Sequence, residues 1–304
     1  SMLGQQVINC FTKGMIERMK VFIMPNLSRK TAYPCTVDTI HRLQGLKIEV
    51  LLDWKHRSSF AEFKDINYRD GDEALEECDF VIAIGGDGTI MHSAKHAMQK
   101  NKPVFGINAG RLGFLASLET DELDRLEDLI TGNYSIDRRM MLKVTHDTKG
   151  RAETFFALND AVISKGALAK IVDLEIYCDG QKVISHRADG IIFSTPTGST
   201  AYSLAAGGPV IDPNIDCISM TPICSHSLMG RSIIFSDDKV LRASANIDDE
   251  HEAYLSVDGE SDVKLEKGDT VTIEKSDIFI RFVKLTDKPF YEILNEKILE
   301  KMCD

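Results

Sequence analysis

The sequence has no C-x-x-C pair, no internal repeat, no low-complexity tract and no long linker. It also lacks an excess of basic charge and any apolar run approaching the ~20 residues that a membrane helix needs. Each absence removes a class of protein. The seven cysteines (Cys10, Cys35, Cys78, Cys178, Cys217, Cys224 and Cys303) are odd in number and scattered, so they read as reduced thiols of a cytoplasmic protein, without disulfides or a cysteine zinc site. With 36 Lys and Arg against 47 Asp and Glu, a net charge of -11, no basic face offsets repulsion from nucleic acid or an anionic membrane. The first residues carry no signal-peptide pattern. Any anionic ligand must therefore be held by local donors.

What is present fits two domains in 304 residues. After a leading extension, 1–19, residues 20–138 alternate strand and helix. Lys20 to Met24 forms a first strand. Val37, Ile40 and Leu43 lie at helical spacing behind a Thr36 cap, with Gly45 as stop, and Ile48 to Leu52 forms a second strand. Glu73–Cys78, Thr89–Lys100 and Leu123–Gly132 read as helices, Phe80–Ile84 and Val104–Ile107 as strands. Such repeated βα units predict an α/β, doubly wound, Rossmann-like parallel sheet with ligands at the carboxyl ends of its strands. Residues 139–284 change to period-two segments and hairpin turns. Leu174, Ile176 and Cys178 alternate with polar neighbours, and Asp179-Gly180 is a two-residue hairpin signal. A mostly antiparallel all-β domain is expected there. The amphipathic stretch Phe290–Leu299, within the segment 285–304, is expected to pack back on the first domain.

The most informative stretch is Gly85-Gly86-Asp87-Gly88-Thr89, which follows the apolar run Phe80 to Ile84 and opens a helix. Three glycines let backbone approach an anion, and the helix start aims N–H groups and its positive dipole end at it. Asp87 complicates a simple phosphate cradle. A carboxylate ~4 Å from a phosphate oxygen costs about 4 kcal/mol at an effective dielectric near 20, so something must compensate its charge. Either a Mg²⁺ ion lies between them or the carboxylate faces a hydroxyl about to attack, and both readings point to phosphoryl transfer. A second motif follows the strand-like Asp189-Gly190-Ile191-Ile192-Phe193. From Ser194 to Thr200, seven residues carry five hydroxyls, and Ala201-Tyr202 and Gly207-Gly208-Pro209 come next. That composition offers neutral donors and close backbone approach to ribose and pyrophosphate oxygens, and Tyr202 can stack on a base or a nicotinamide ring.

Gly85 to Thr89, then Asn159-Asp160, then Asp189-Gly190 with the run from Ser194 to Tyr202 resemble, in order and spacing, the NAD kinase family. The stretch Gly106 to Leu115 and Gly207-Gly208-Pro209 also match its pattern. The resemblance covers nearly the whole chain from residue 20 and implies ATP-dependent phosphorylation of NAD at the 2′-hydroxyl of its adenosine ribose, giving NADP. It makes Asp87 the proton acceptor and Gly85, Gly86, Gly88 and Thr89 the phosphate loop. It also implies a divalent metal, Mg²⁺, with Asp87 as the one optional protein ligand. Asn159 and Asp160, where the family often has Glu, would contact the adenosine part of NAD. Arg187 and Asp189 would lie near the pyrophosphate and the nicotinamide side. Thr200, Ala201, Tyr202, Ser203, Leu204 and Ala205 would wrap the nicotinamide riboside, and Phe114 would close the pocket from the first domain. Lys170 and Glu260, where many relatives have Gln, match further substrate contacts. The family also implies a homodimer or homotetramer built through the β half.

His92 and His96 are spaced i, i+4 but lack a third ligand, which favours a solvated or packed pair over a zinc site. Lipid kinases of the diacylglycerol or sphingosine type share the glycine loop, yet the motif from Ser194 to Tyr202 and the acidic charge argue against them. A catalytically silent dinucleotide sensor would not need Asp87. A dehydrogenase would need G-x-G-x-x-G, which the first glycine turn lacks.

Overall fold

The structure, a computed structural model, describes residues 18–110, 113–166, 170–226, 230–248, 251–260 and 262–303. The expected leading extension falls outside the described residues up to 17. Two units divide the described chain: residues up to Ile136 with Val283–Asp287, and Asp137–Phe282 with the C-terminal stretch from Lys288.

The first unit runs β1 (Lys20–Pro25), α1 (Ala32–Gly45), β2 (Glu49–Asp53), β3 (Ile66–Arg69), α2 (Gly71–Glu77), β4 (Phe80–Gly85), α3 (Asp87–Gln99), β5 (Val104–Asn108), β6 (Ala116–Glu119) and a short α4 (Asp128–Thr131). The pairings along the order β6-β5-β4-β1-β2-β3 are parallel. The chain builds outward from β1 to β3 and then returns to the other side of β1 as β4, so a topological switch lies between β1 and β4. β4 is buried along its full length, as an apolar strand covered on both faces must be. The core joins Val21, Ile23, Ile40, Leu43, Ile82, Ile84 and Phe105 with Val283 and Leu285 of the returning segment. Backbone carbonyls of that segment are tied down by Ser117 Oγ on Val283 (2.5 Å) and Arg125 Nη2 on Leu285 (2.5 Å).

Several expected elements are corrected. α1 starts at Ala32, before Thr36, because Pro34 is tolerated in a first helical turn. Thr36 is then an interior residue whose hydroxyl donates to Ala32 O at 2.6 Å, not a cap. The helix expected over Leu123–Gly132 is a 3₁₀ turn, Leu123–Glu127, followed by α4. Gly132 ends it in the left-handed region at φ 74°.

The second unit comprises β7 (Ser135–Thr148, entering from the first unit), β8 (Arg151–Ala157), β9 (Asp160–Lys165), β10 (Val172–Cys178), β11 (Gln181–Ala188), β12 (Gly190–Ser194), α5 (Tyr202–Ala205), β13 (Cys217–Ile223), β14 (Ile233–Ser236), β15 (Leu241–Ala245), β16 (Ala253–Val257), β17 (Asp262–Lys264), β18 (Thr270–Lys284) and α6 (Phe290–Cys303). One sheet follows the antiparallel order β14-β13-β12-β9-β16-β17. The other joins β11, β10, β15 and β18, with β7 on β18 and β8 on β7. Leu142, Leu174 and Ile176 from the latter meet Ile163, Ile191, Phe193 and Leu255 from the former in one core. The expected hairpin is present, with Asp179 at φ 49° and Gly180 at φ 80°, the paired positive φ of a I′ turn. The β7–β8 hairpin, β13 and α5 had no counterpart in the sequence reading.

The segment 285–304 is also corrected. Only its start, through Asp287, belongs to the first unit, and the stretch from Lys288 groups with the second. There Tyr291 donates its hydroxyl to Asp212 Oδ2 at 2.9 Å.

Gly106 of β5 sets the seat of α3, since a Cβ there would run into the Ile90 side chain. Gly106→Ala is expected to cost about 1–3 kcal/mol by overpacking, read as a lower melting temperature in a thermal scan.

Candidate functional site

In the first unit the buried strand β4 delivers Gly85 to the carboxyl edge of the sheet. A Cβ on Gly85 would lie 2.5 Å from Thr89 Oγ1, so only glycine fits beneath the first turn of α3. Gly86 caps that helix with extended backbone, and Gly88 faces open space. Thr89 Oγ1 accepts from Asn26 Nδ2 (3.0 Å), and Asn26 N–H donates to Ile84 O (2.9 Å), which ties the end of β1 to the loop. Asn26 has no motif of its own in the sequence and was missed.

Asp87 is the first residue of α3, where a carboxylate is favoured by the helix dipole. Its Oδ2 accepts the N–H of Phe114 (2.9 Å) and its Oδ1 that of Leu115 (3.1 Å). A Cβ on Gly113 would collide with this carboxylate. Phe114 thus reaches Asp87 through its backbone, a role beyond the ring contact expected of it. Arg29, also missed, lays its guanidinium across the loop. A Cβ on Gly86 would stand 3.0 Å from Nη2, and one on Gly110 would strike Nη1. Asn108, 3% exposed, holds Gly110 in place by accepting its N–H at 3.1 Å, while its own amide donates to Glu119 (2.9 Å). The two N–H groups and the helix start offset the charge of this carboxylate, and the Arg29 cation lies over the neighbouring glycines.

In the second unit the organiser is a residue that the sequence reading passed over. Asp258 lies in the β16–β17 turn at φ 51°, followed by Gly259 at φ 69°. Its buried carboxylate accepts the N–H groups of Leu158 (2.9 Å), Asn159 (2.8 Å) and Asp160 (3.1 Å). This places Asn159 and Asp160 at the start of β9, beside Ser194 of β12. Burial, and then the Asp258 charge, push the Asp160 carboxyl up to about 7. Glu260 follows in the same turn and is exposed.

The hydroxyl-rich run departs from expectation. Ser194 Oγ bonds Ser219 Oγ (2.9 Å), Thr195 Oγ1 donates to Leu158 O (2.5 Å), and Ser199 Oγ donates to Pro196 O (2.6 Å) and accepts from Ile211 N–H (3.0 Å). Thr197 Oγ1 accepts from Arg139 Nη1 (3.1 Å), and Arg139 is itself paired with Asp137 at 2.7 Å. Thr200 donates to Thr197 O (3.2 Å). These hydroxyls build the loop; apart from half-buried Thr200, they are turned inward instead of being offered to a ligand. Gly198 is required because a Cβ there would strike Asn159 O, which locks the run against the Asn159-Asp160 turn. The accessible part is Thr200, Ala201, Tyr202 (47% exposed), Leu204 and Ala205. Ser203 is buried and bonds Thr221 Oγ1 (3.2 Å), a structural position. Arg187 is exposed on β11, Asp189 pairs with Lys165 (3.2 Å), and Lys170 is exposed.

His92 and His96 pack on each other with ring centroids 4.4 Å apart. Among the described residues no group of three or more His, Cys, Asp or Glu is placed to hold a metal ion. No described helix is long and apolar enough to cross a membrane.

A parallel sheet with a glycine loop and a fixed carboxylate at its carboxyl edge, joined to an antiparallel β unit, defines a phosphotransferase class. Residues 21–134 match the ATP-NAD kinase N-terminal domain and residues 158–285 the ATP-NAD kinase C-terminal domain. The NAD kinase of Acetivibrio thermocellus is 36% identical over 292 residues, covering 93% of this chain and 98% of that one. That of Carboxydothermus hydrogenoformans is 39% identical over 231 residues, covering 75% and 82%. Among solved structures, yeast NADH kinase complexed with NADH superposes with a TM-score of 0.84 at 27% identity, over 92% of this chain and 87% of that one. An NAD kinase from Archaeoglobus fulgidus in complex with ATP gives 0.68 at 26% identity, over 92% and 98%. The chain belongs to the NAD kinase family.

The raised Asp160 carboxyl has a consequence for stability. A carboxyl whose folded value lies near 7, above an unfolded value near 3.9, stabilises the fold in its protonated state. That contribution is complete below the unfolded value and is lost as pH rises through about 7. Asp160→Asn, neutral at every pH, is expected to melt several degrees above the parent at pH 8, with the gap closing toward pH 5. Equal melting curves at pH 8 would show that Asp160 bears no such burden.

Proposed function

We propose that this protein transfers the γ-phosphoryl group of ATP to the 2′-hydroxyl of the adenosine ribose of NAD, with Asp87 as proton acceptor. The observation that carries this reading is the Asp87 carboxylate, fixed at the start of α3 by two backbone N–H groups beside the open backbone of Gly88. The ribose O–H donates its proton to Asp87 as the oxygen bonds to phosphorus, and the bond from phosphorus to the ADP oxygen breaks. In a loose transition state the catalyst's work is chiefly positioning and charge compensation. Gly85, Gly86, Gly88 and Thr89 present the helix start to the phosphates, and the Arg29 cation offsets their charge.

Magnesium suits this site without a protein cage, since it keeps several waters and binds through one or two carboxylates plus substrate phosphates. Asp87 is the residue that would hold it, and the chemistry it would supply is neutralisation of phosphate charge. On the NAD side we assign Asn159 and the Asp160 carboxyl to the adenosine moiety. Arg187 and Asp189 are assigned to the pyrophosphate and nicotinamide side, and Thr200 to Ala205 to the nicotinamide riboside. Ser203 acts there by holding the turn. Phe114, Lys170 and Glu260, the last where many relatives have Gln, complete the set. We further assign the protein to the cytoplasm and to a homodimer or homotetramer built through the β unit.

Incubation with NAD, ATP and Mg²⁺ is expected to yield NADP, followed with a dehydrogenase that accepts only NADP. Asp87→Asn should lower kcat by at least about a hundredfold, the usual share of general-base chemistry. Gly113→Ala, which pushes the carboxylate off its N–H donors, should also fall by about a hundredfold, as misplacement by ~1 Å does. Undiminished turnover in both would remove Asp87 from the reaction. Tyr202→Ala should raise KM for NAD and leave KM for ATP in place; an unchanged KM for NAD would dismiss the stacking role.

A further inference from the structure

Asp160 and Asp258 are pinned to each other twice at the entry to β9: Asp160 N–H donates to Asp258 Oδ1 (3.1 Å), and Asp258 N–H donates to Asp160 O (2.9 Å). Their exposures are 6% and 9%. The two carboxyl groups are not equivalent. Asp258 accepts Leu158 N–H on Oδ2 and the N–H groups of Asn159 and Asp160 on Oδ1, so backbone donors serve its charge. Among the described residues the Asp160 carboxyl has no hydrogen-bond donor and no cation beside it. Neither of its oxygens belongs to the sealed, unsatisfied polar atoms of the described chain, so both reach solvent.

The elements packed around Asp160 bring no counter-charge. β12 and the run from Ser194 to Thr200 carry no ionisable side chain. Tyr254 of β16 stands opposite Ser164, at the far end of β9, where Lys165 pairs with Asp189. Arg151 and Glu153 lie at the far end of β8, and Glu260 is exposed in the turn. Asp258 is the one charge that faces Asp160 among the described residues. Two carboxylates in one dry turn resist joint ionisation, and the proton goes to the one without donors. Burial and the Asp258 charge set its loss at about pH 7 in the free protein. A neutral carboxylic acid offers an O–H donor, which an ionised carboxylate lacks. A ligand seated over Asp160 removes the remaining water and penalises the charged form further.

We propose that NAD binding is coupled to a proton on Asp160, whose neutral carboxylic acid donates its O–H to an acceptor atom of the adenosine moiety, a ring nitrogen or a ribose oxygen. The coupling rests on the assignment of Asp160 to NAD above and adds a protonic control to that site. Asp258 is then a positioning residue that acts through Asp160: it shapes the turn, and its charge keeps the proton on its neighbour. The sign follows from the direction of the shift. The donor form prevails below about pH 7 and is lost as pH rises through that value, so affinity for NAD falls on the alkaline side.

The test is titration calorimetry of the parent protein and Asp160→Asn with NAD alone, from pH 6 to pH 8, and at pH 8 in two buffers of different ionisation enthalpy. The parent Kd for NAD should rise about tenfold over that range, and its binding heat at pH 8 should shift between buffers in the sense of proton uptake. Asp160→Asn, neutral with an amide donor at every pH, should hold its Kd within about twofold and show no buffer dependence, with thermal melting to check that it is folded. If the variant does not fold, the parent's pH series and buffer comparison decide alone. A flat parent Kd, binding without proton uptake, the same rise in Asp160→Asn, or no NAD binding by the parent would each overturn the proposal. NADP formation in the parent judges the kinase reading separately. Formation alongside a flat Kd keeps that reading and removes the coupling, whereas proton-coupled binding without NADP formation removes the reading and leaves the coupling in place.

Discussion

The first unit depends on one carboxylate held between backbone amides. Asp87 begins α3, and the N–H groups of Phe114 and Leu115 grip both of its oxygens. For the grip to exist, residue 113 must carry no side chain, and residue 106 must leave room for Ile90 so that α3 can lie close to β5. The glycines at these positions are each explained by one collision. The acidic residue in a glycine loop then ceases to be a paradox. Its charge is spread over two N–H donors and a helix N-terminus before any ligand arrives, and the Arg29 cation stands over the neighbouring glycine.

The second unit repeats the device with different parts. Asp258, in the left-handed conformation that a I′ turn demands, uses its carboxylate to gather three consecutive N–H groups at the entry to β9. That turn is locked to the hydroxyl-rich run by Thr195 and by the close approach of Gly198 to Asn159. The placement has an electrostatic effect: two carboxyl groups share a dry site, and Asp160 is driven toward its protonated form. A protonated Asp160 can donate as well as accept, which an ionised one cannot.

Much of the fold was legible because its causes are local. Alternating apolar runs and helical spacings mark the parallel sheet, and Asp179-Gly180 marks a hairpin wherever it occurs between alternating strands. The misses share a cause as well. α1 begins before Thr36 because Pro34 fits a first turn, a fact that depends on where the helix starts. The hydroxyls from Ser194 to Thr200 were read as ligand donors because composition does not say which way a side chain faces. Their partners, Leu158, Arg139, Ser219 and Ile211, lie far along the chain. α6 was expected on the first domain from its amphipathic pattern, which records that a helix has an apolar face without saying what covers it.

By itself the sequence determined the order of the βα units, the position of the glycine loop at a strand end and the family, and it singled out Asp87 as the acidic residue of that loop. Those properties follow from spacing, backbone freedom and charge along neighbouring residues. Only the tertiary structure decided which groups hold that carboxylate and that Asp258 shapes the Asn159-Asp160 turn. Contacts between residues tens of positions apart depend on how strands are ordered and helices seated, and no local pattern encodes a distance across the fold.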